Sequence, residues 1–416
     1  MIWIFWLLPA LSVCLAYNVY RPIYRYPHGA SVSWVFGLLA GELAPHFIAV
    51  QMLAVVLFAA FSDALSGAAG ALGLALLFAA WAAMALHYAR ALQLPAQLHS
   101  CLQTAGLGNY QPRPQPIDMA TLIDPITTMK SASSHNAAVE CLKNIVYHRG
   151  EVLNLKLDIR RPAAIEAPCP VLLQIHGGAW TYKLGSKERQ ALPLMNRLAA
   201  RGWVCVAISY RLSPLATFPD HIIDCKRALA WIKANIADYG GDPDFVAVTG
   251  GSAGGHLSAL LALTPNCAPW QPGFEQADTR VQACIPFYGI YDFCNRNGQQ
   301  RHNGLETWLE RLVIKAPAQQ APEIYRAASP IHHVHQQAPP FFVIQGDTDN
   351  LVPVAESRHF VEALKSHSEQ PVAYAEIAGA QHAFDLFASL RTQAVIHAVE
   401  AFADCIHADY RRRHQR

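Results

Sequence analysis

The stretch "VTGGSAGGHLSAL", residues 248–260, places four glycines and a serine where the apolar run Phe245–Val248 reads as a buried strand and Leu257 belongs to a helix. Glycines at such a junction let a helix approach a sheet closely. They also make room around a serine held on a sharp strand-to-helix turn, where a strained backbone tolerates only small neighbours. Gly250-Gly251-Ser252-Ala253-Gly254 fits G-x-S-x-G with a strand before it and a helix after it, so Ser252 is the candidate nucleophile.

Working outward, "VLNLKLDIRRP" alternates Leu153, Leu155, Leu157 and Ile159 with polar residues, the two-residue period of a half-buried strand. "PVLLQIHGG" is continuously apolar, as in a parallel strand covered on both faces. The spacing predicts a helix over 186–201, a strand over 203–210 and a helix over 219–239. Further strands are expected at 245–250, 281–289, 340–346 and 372–379, with helices between and after them. Such alternation implies an α/β fold, a mostly parallel twisted sheet with helices on both faces. One insertion, 293–338, is polar at both ends. Its middle carries Leu305, Trp308, Leu309, Leu312 and Val313 at helical spacing, which suits either a packed surface helix or part of a cap.

A serine hydroxyl needs a base to take its proton, and the base needs a carboxylate to orient it. Among 19 histidines, His382 in "GAQHAF" directly follows the last strand, where a loop reaches back over the sheet. His256 lies four residues past the serine on the same helix and is expected to pack there; His332, His333 and His335 read as loop residues of the insertion. "QGDTDNLVP" offers two carboxylates past a strand end, Asp347 and Asp349, and position alone does not choose between them. "HGGAW", His176–Trp180, supplies consecutive backbone N–H groups at a strand end. Gly177 and Gly178, with the N–H of Ala253, are the expected donors to the oxyanion that forms when a carbonyl is attacked. Each well-aimed donor contributes about 3–4 kcal/mol at the transition state.

Taken in order, "HGGAW", "YRLSP" with the following "FP", "GGSAGGHL", "GDTDNLVP" and "QHAF" resemble the α/β-hydrolase carboxylesterases of the hormone-sensitive-lipase and arylacetamide-deacetylase type, most closely a bacterial membrane-anchored branch. The resemblance covers about residues 140–405. It implies Ser252 as nucleophile, Asp349 as the orienting acid, His382 as base and no metal or other cofactor. Two positions depart from the family pattern: Ala179 stands where many relatives have a third glycine, and Gly251 where many have an acidic residue. Trp180 and Tyr288 are the candidate substrate-contacting residues, Trp180 with the alternative of packing on the sheet edge.

The N-terminal region has a different composition. The first twenty residues carry no charged side chain, and from Leu43 to Ala89 only Asp63 does. The stretches 43–62 and 64–86 each have the roughly 20 apolar residues that a bilayer span needs. They read as a helical hairpin turning at Asp63, while residues 1–16 are a third span or an interfacial helix. A cleavable signal is disfavoured by the missing basic n-region. Arg21, Arg25 and Arg90 flank the spans, and the retention of basic residues on the inner side puts the large C-terminal part at the cytoplasmic face. The expected division is a membrane anchor over 1–90, a linker over 91–140 and a catalytic domain over 141–416.

Ten scattered cysteines fit a reducing compartment better than a disulfide framework. A net charge of +2 gives no footprint for nucleic acid, and the basic tail "YRRRHQR" reads as a solvated end or a contact to anionic headgroups. The expected activity is hydrolysis of a small-molecule or lipid carboxylic ester through an acyl-enzyme. The alternatives are an amidase or arylformamidase with the same residues, and a non-catalytic receptor on the same fold.

Overall fold

A computed structural model describes residues 2–107, 138–150, 153–182 and 184–414. The polar segments "QPRPQP" and "KSASSHN", and the last two residues of the basic tail, lie outside these. Eight strands form one sheet: β1 (Val139–Arg149), β2 (Asn154–Pro162), β3 (Cys169–Ile175), β4 (Val204–Ile208), β5 (Gly241–Gly251), β6 (Ala283–Phe287), β7 (Phe341–Gly346) and β8 (Val372–Ile377). Their spatial order is β1-β2-β4-β3-β5-β6-β7-β8. β2 runs antiparallel to β1 and β4, and every other pairing is parallel. With helices on both faces this is the α/β-hydrolase fold.

Register positions the site. Ile175 pairs with Gly250, Gly251 with Phe287, and Gly346 with Ile377, so the carboxyl ends of β3, β5, β6, β7 and β8 finish along one edge. The loops leaving that edge carry the residues singled out above, as expected for ligand sites on parallel sheets.

Several elements differ from the sequence expectation. β1 starts at Val139, ahead of the expected domain start. The helix expected over 186–201 is confined to Leu192–Ala199, because Ala191 has φ 52° and breaks the helix ahead of it. Asp158, on the polar side of the β2 alternation, is buried and paired with Lys187 at 2.7 Å, itself only 4% exposed. In the insertion, Leu309 and Val313 are buried, with Leu305, Trp308 and Leu312 partly so, and the segment packs on the main core.

The N-terminal region holds α1 (Ile2–Tyr20), α2 (Pro27–Glu42), α3 (Ala44–Phe61) and α4 (Gly67–Ala89). Three helical stretches, Ile2–Tyr20, Ala44–Phe61 and Gly67–Leu107, are long and apolar enough to cross a membrane. The hairpin turn falls at Ser62–Ser66, around the expected Asp63. Phe5 of α1 lies against Gly73 and Phe58, while at the other end the Tyr20 hydroxyl donates to Ala83 O at 2.8 Å and Arg90 lies over the Tyr20 ring. α1 and α4 therefore run parallel, α3 returns between their ends, and Arg21, Arg25 and Arg90 gather at the hydrolase end.

Two features were not anticipated. α2 is too short to span a bilayer and carries serines, glycines and Glu42, so it shows no span signal. The segment read as a linker from residue 91 is helical through Leu107, and its first helix is α5 (Leu94–Leu102). Leu94, Leu98 and Leu102 recur every fourth residue and enter one of the two cores flanking the sheet, together with Leu38 of α2. Each such side chain removed from water contributes about 1.5–3 kcal/mol, so α5 and Leu38 of α2 continue the hydrolase core, while α1, α3 and α4 bury their own cluster around Phe5, Leu77 and Met84.

Candidate active site

The glycines and serine of residues 248–260 serve both close packing and the placement of a reactive side chain. Ser252 sits at φ 58°, ψ −120°, a conformation that non-glycine residues rarely adopt, between β5 and the helix Ala253–Leu263. Its N–H donates to Phe287 O at 3.0 Å, which fastens the turn to β6. A Cβ added at Gly254 would lie 2.0 Å from Ile175 O, so only glycine lets the helix start this close to β3.

His382 lies on the loop after β8. Its Nε2 is 2.9 Å from Ser252 Oγ and its Nδ1 is 2.7 Å from Asp349 Oδ2. A carboxylate on Nδ1 favours the tautomer that leaves Nε2 free to accept the serine proton. Asp349 is 1% exposed, yet its oxygens are satisfied: Oδ1 accepts from Leu351 N and Val352 N, and Oδ2 also accepts from Gln345 Nε2. Asp347, the other carboxylate of the pair, instead accepts the Gly379 N–H at 2.7 Å and shapes the turn after β8. Burial raises its pKa. The structure thus brings Ser252, Asp349 and His382 together and leaves Asp347 apart.

The three expected donors differ in availability. Gly178, at φ 109°, and Ala253, the first residue of its helix, have N–H groups with no acceptor among the described residues. Gly177 departs from expectation, because its N–H donates to Gln190 Oε1 at 2.5 Å. The cause is the non-helical segment ahead of Leu192, which folds Gly185 and Gln190 over Gly177.

A family model described as BD-FAE matches residues 157–364, half of the chain. A probable carboxylic ester hydrolase of Mycobacterium tuberculosis, LipM, is 44% identical over 96% of this chain and 92% of its own length. The chain belongs to the BD-FAE family. Esterase LipQ of the same organism is 50% identical over 64% of this chain and 62% of its own. Among solved structures, the propionate-bound esterase Est2 of Thermogutta terrifontis superposes with a TM-score of 0.53 at 27% identity, covering 64% of this chain and 93% of its own.

In this BD-FAE member the departure at Gly251 has a steric basis. A Cβ there would fall 2.6 Å from the Tyr288 hydroxyl and 2.8–2.9 Å from its ring, so an acidic side chain does not fit beside this tyrosine. Tyr288 is buried, packs its ring against His382 at 4.7 Å and donates its hydroxyl to Asp385. Burial pushes the Tyr288 phenol well above its usual range and raises the Asp385 carboxyl. Tyr288 therefore flanks the imidazole instead of lining an open pocket.

Trp180 is also turned inward, by the successive left-handed residues Ala179 and Trp180 at φ 50° and 59°. It is 1% exposed, and its indole contacts His256 and Phe293. Of the two readings of Trp180, packing is the one realised. His256 packs as expected: Nε2 meets Ala328 O at 2.7 Å and burial lowers its pKa to about 3. His333, read as a loop residue, is tied to Ala327 O and the Trp270 ring.

Sequence reasoning missed the contacts that α2 and α4 make with the loops bearing Asp349 and His382. Trp34 Nε1 donates to His382 O at 2.8 Å, and Asn350 Nδ2 donates to Ile23 O and Ala30 O. Arg391, fully buried, donates to Ala378 O, Gly41 O, His87 O and Glu42 Oε1. Apart from the local Arg391–Ala378 bond, these pairs are separated by more than 300 residues, and no local pattern announces them.

Asp292, Cys294 and His332 bring donor atoms within 4.8 Å of one another, a possible metal-ligand group among the described residues. The Asp292 carboxylate already accepts from Arg296 at 3.1 Å and from Cys294 N at 3.0 Å, which leaves it little capacity for a metal.

Proposed function

We propose that this chain is a membrane-anchored serine hydrolase that cleaves carboxylic esters through an acyl-enzyme. The observation that carries the reading is His382, with one ring nitrogen 2.9 Å from Ser252 Oγ and the other 2.7 Å from Asp349. Ser252 Oγ attacks the ester carbonyl as His382 Nε2 takes its proton, and Asp349 stabilises the imidazolium. The N–H groups of Gly178 and Ala253 receive the oxyanion; Gly177 joins them only if Gln190 swings away. The C–O bond to the alcohol then breaks as His382 returns the proton to the leaving oxygen. Water, deprotonated by the same nitrogen, attacks the acyl carbonyl, and the acid leaves as Ser252 regains its proton.

The membrane reading is supported by large apolar side chains that project from the N-terminal helices, among them Trp3, Leu7, Val50, Leu53, Phe61 and Phe78, all more than half exposed. Contiguous apolar surface of this kind needs a lipid or protein partner. With the arginines at the hydrolase end, the positive-inside rule assigns that end to the cytoplasm. An anchor of three spans suits a hydrophobic or lipid ester as substrate. The names of the relatives, esterase and probable carboxylic ester hydrolase, support the ester class over amides.

The test is labelling of the detergent-solubilised chain with a fluorophosphonate probe, alongside turnover of paired ester and amide substrates. Wild type should label and prefer the ester, and Ser252→Ala should lose both label and turnover, a fall in kcat of about a million-fold. A labelled or active Ser252→Ala overturns the assignment, and preference for the amide overturns the ester class.

A further inference from the structure

We propose that Trp34 of α2 is a positioning residue for His382, so that the N-terminal helices complete the hydrolytic site as well as tether it. This rests on reading His382 as the base. The indole Nε1–H donates to the backbone carbonyl of His382 at 2.8 Å, and the indole stands edge-on to the imidazole, with centroids 6.4 Å apart at 73°. Tyr288 packs against the same imidazole. The base is thus held between one ring from the hydrolase sheet and one from the N-terminal region.

The carbonyl that Trp34 holds belongs to the peptide before Ala383, which is left-handed at φ 60°. The turn has no glycine to relieve that conformation, so an external hydrogen bond on its peptide fixes where the His382 side chain emerges. The same helix grips the acid. Asn350, adjacent to Asp349 and 2% exposed, donates both amide hydrogens to backbone carbonyls of the same region, Ile23 O at 2.8 Å in the connection ahead of α2 and Ala30 O at 2.9 Å in its first turn. One turn beyond Trp34, Gly37 packs so closely that an added Cβ would be 3.1 Å from Asn18 of α1 and 3.3 Å from Gln381, the neighbour of His382. One helix therefore clamps the loops of both residues that must stay aligned with Ser252, at three separate places.

Misplacing a reacting group by an ångström costs as much as about a hundredfold in rate. Trp34→Phe keeps an aromatic edge and removes the donor. In the full chain in detergent it should lower kcat about tenfold on a short p-nitrophenyl ester with KM nearly unchanged, because the indole acts on the base and not on substrate. The control is Trp81→Phe, which removes an indole hydrogen bond to Gln51 inside the same helical region and should leave kcat unchanged. Gly37→Val crowds Gln381 and Asn18 with Trp34 intact, shifting α2 against the loop of His382, and it should also lower kcat. It carries the test if Trp34→Phe fails to fold.

Wild-type kcat in Trp34→Phe or in Gly37→Val overturns the proposal. So does an equal loss in Trp81→Phe, which would mean the helices act only through general stability. If Ser252→Ala is inactive while Trp34→Phe is silent, only the positioning role fails; an active Ser252→Ala removes the assignment of the base itself.

Discussion

The serine and the histidine are held in opposite ways. Ser252 is fixed from within, by a strained turn between a central strand and its own helix, with glycines where β3 presses closest. His382 and the loop of Asp349 are held in addition from without, by Trp34 and by backbone carbonyls of the N-terminal region more than 300 residues earlier. The first arrangement persists wherever the sheet folds. The second exists only when two regions of unlike composition dock, so the hydrolase sheet alone does not determine the alignment of the three residues.

The largest effect expected on the serine side comes from acid. His176 and His256 pack around the serine turn, and His221 packs beside Tyr210. Burial lowers their pKa values to about 4, about 3 and about 3. Their folded values lie below the unfolded value of about 6.5, so the unfolded chain takes up protons that the folded chain refuses. The stabilisation is complete above pH 6.5 and is lost as pH falls toward 3–4. By pH 5 each group has cost about 2 kcal/mol and the three together roughly 6 kcal/mol. Denaturant unfolding at pH 7 and pH 5 reads the net change, to which the buried Glu356 carboxyl, raised to about 7, contributes in the opposite sense, and His256→Gln should lessen the loss on acidification by about 2 kcal/mol. An unchanged pH dependence in that variant would break this account of the serine side.

On the histidine side the largest effect is expected at Arg391. Its guanidinium, 0% exposed, joins the loop after β8 to α2 and α4 and pairs with Glu42 at 3.3 Å. Arg391→Ala leaves the buried Glu42 carboxylate without its cation, which should destabilise the chain by about 3–5 kcal/mol. Thermal unfolding in detergent reads the loss. Because the clamp then loosens at the base and not at the serine, activity should be lost at a temperature below that of global unfolding. Coincident losses would show that the two sides do not differ.

The smallest effect sharpens the same contrast. Asn350→Ala removes two hydrogen bonds, one to the connection ahead of α2 and one to its first turn, and should cost about 1–3 kcal/mol, accompanied by a modest fall in kcat. Fluorophosphonate labelling rates, compared with turnover of the same variant, locate the deficit in the attack step.

What the residues disclosed follows the same division. The strand alternation of Leu155, Leu157 and Ile159, the continuous β3 and the glycines at 250–255 are local signals, and each corresponds to an observed element. His382 was legible because it directly follows the last strand, whereas choosing Asp349 over Asp347 took family resemblance. Gly177 was misjudged because its acceptor, Gln190, sits in a segment whose pattern reads as helix until the left-handed Ala191 is known. Trp180 was left open because two successive positive φ angles decide which way the side chain faces, and no neighbour signals them. α2 was missed outright. It lacks both the length of a span and the periodicity of a surface helix, since its partners are the hydrolase loops on one side and α1 on the other.

The contact between Gly251 and Tyr288 carries a consequence for the history of the chain. A carboxylate beside the serine and a bulky phenol at 288 compete for one volume, so neither is reached by a single replacement from a parent holding the other. An intermediate small at both positions has to come between them, and in this chain an acidic residue at 251 would require Tyr288 to be replaced first.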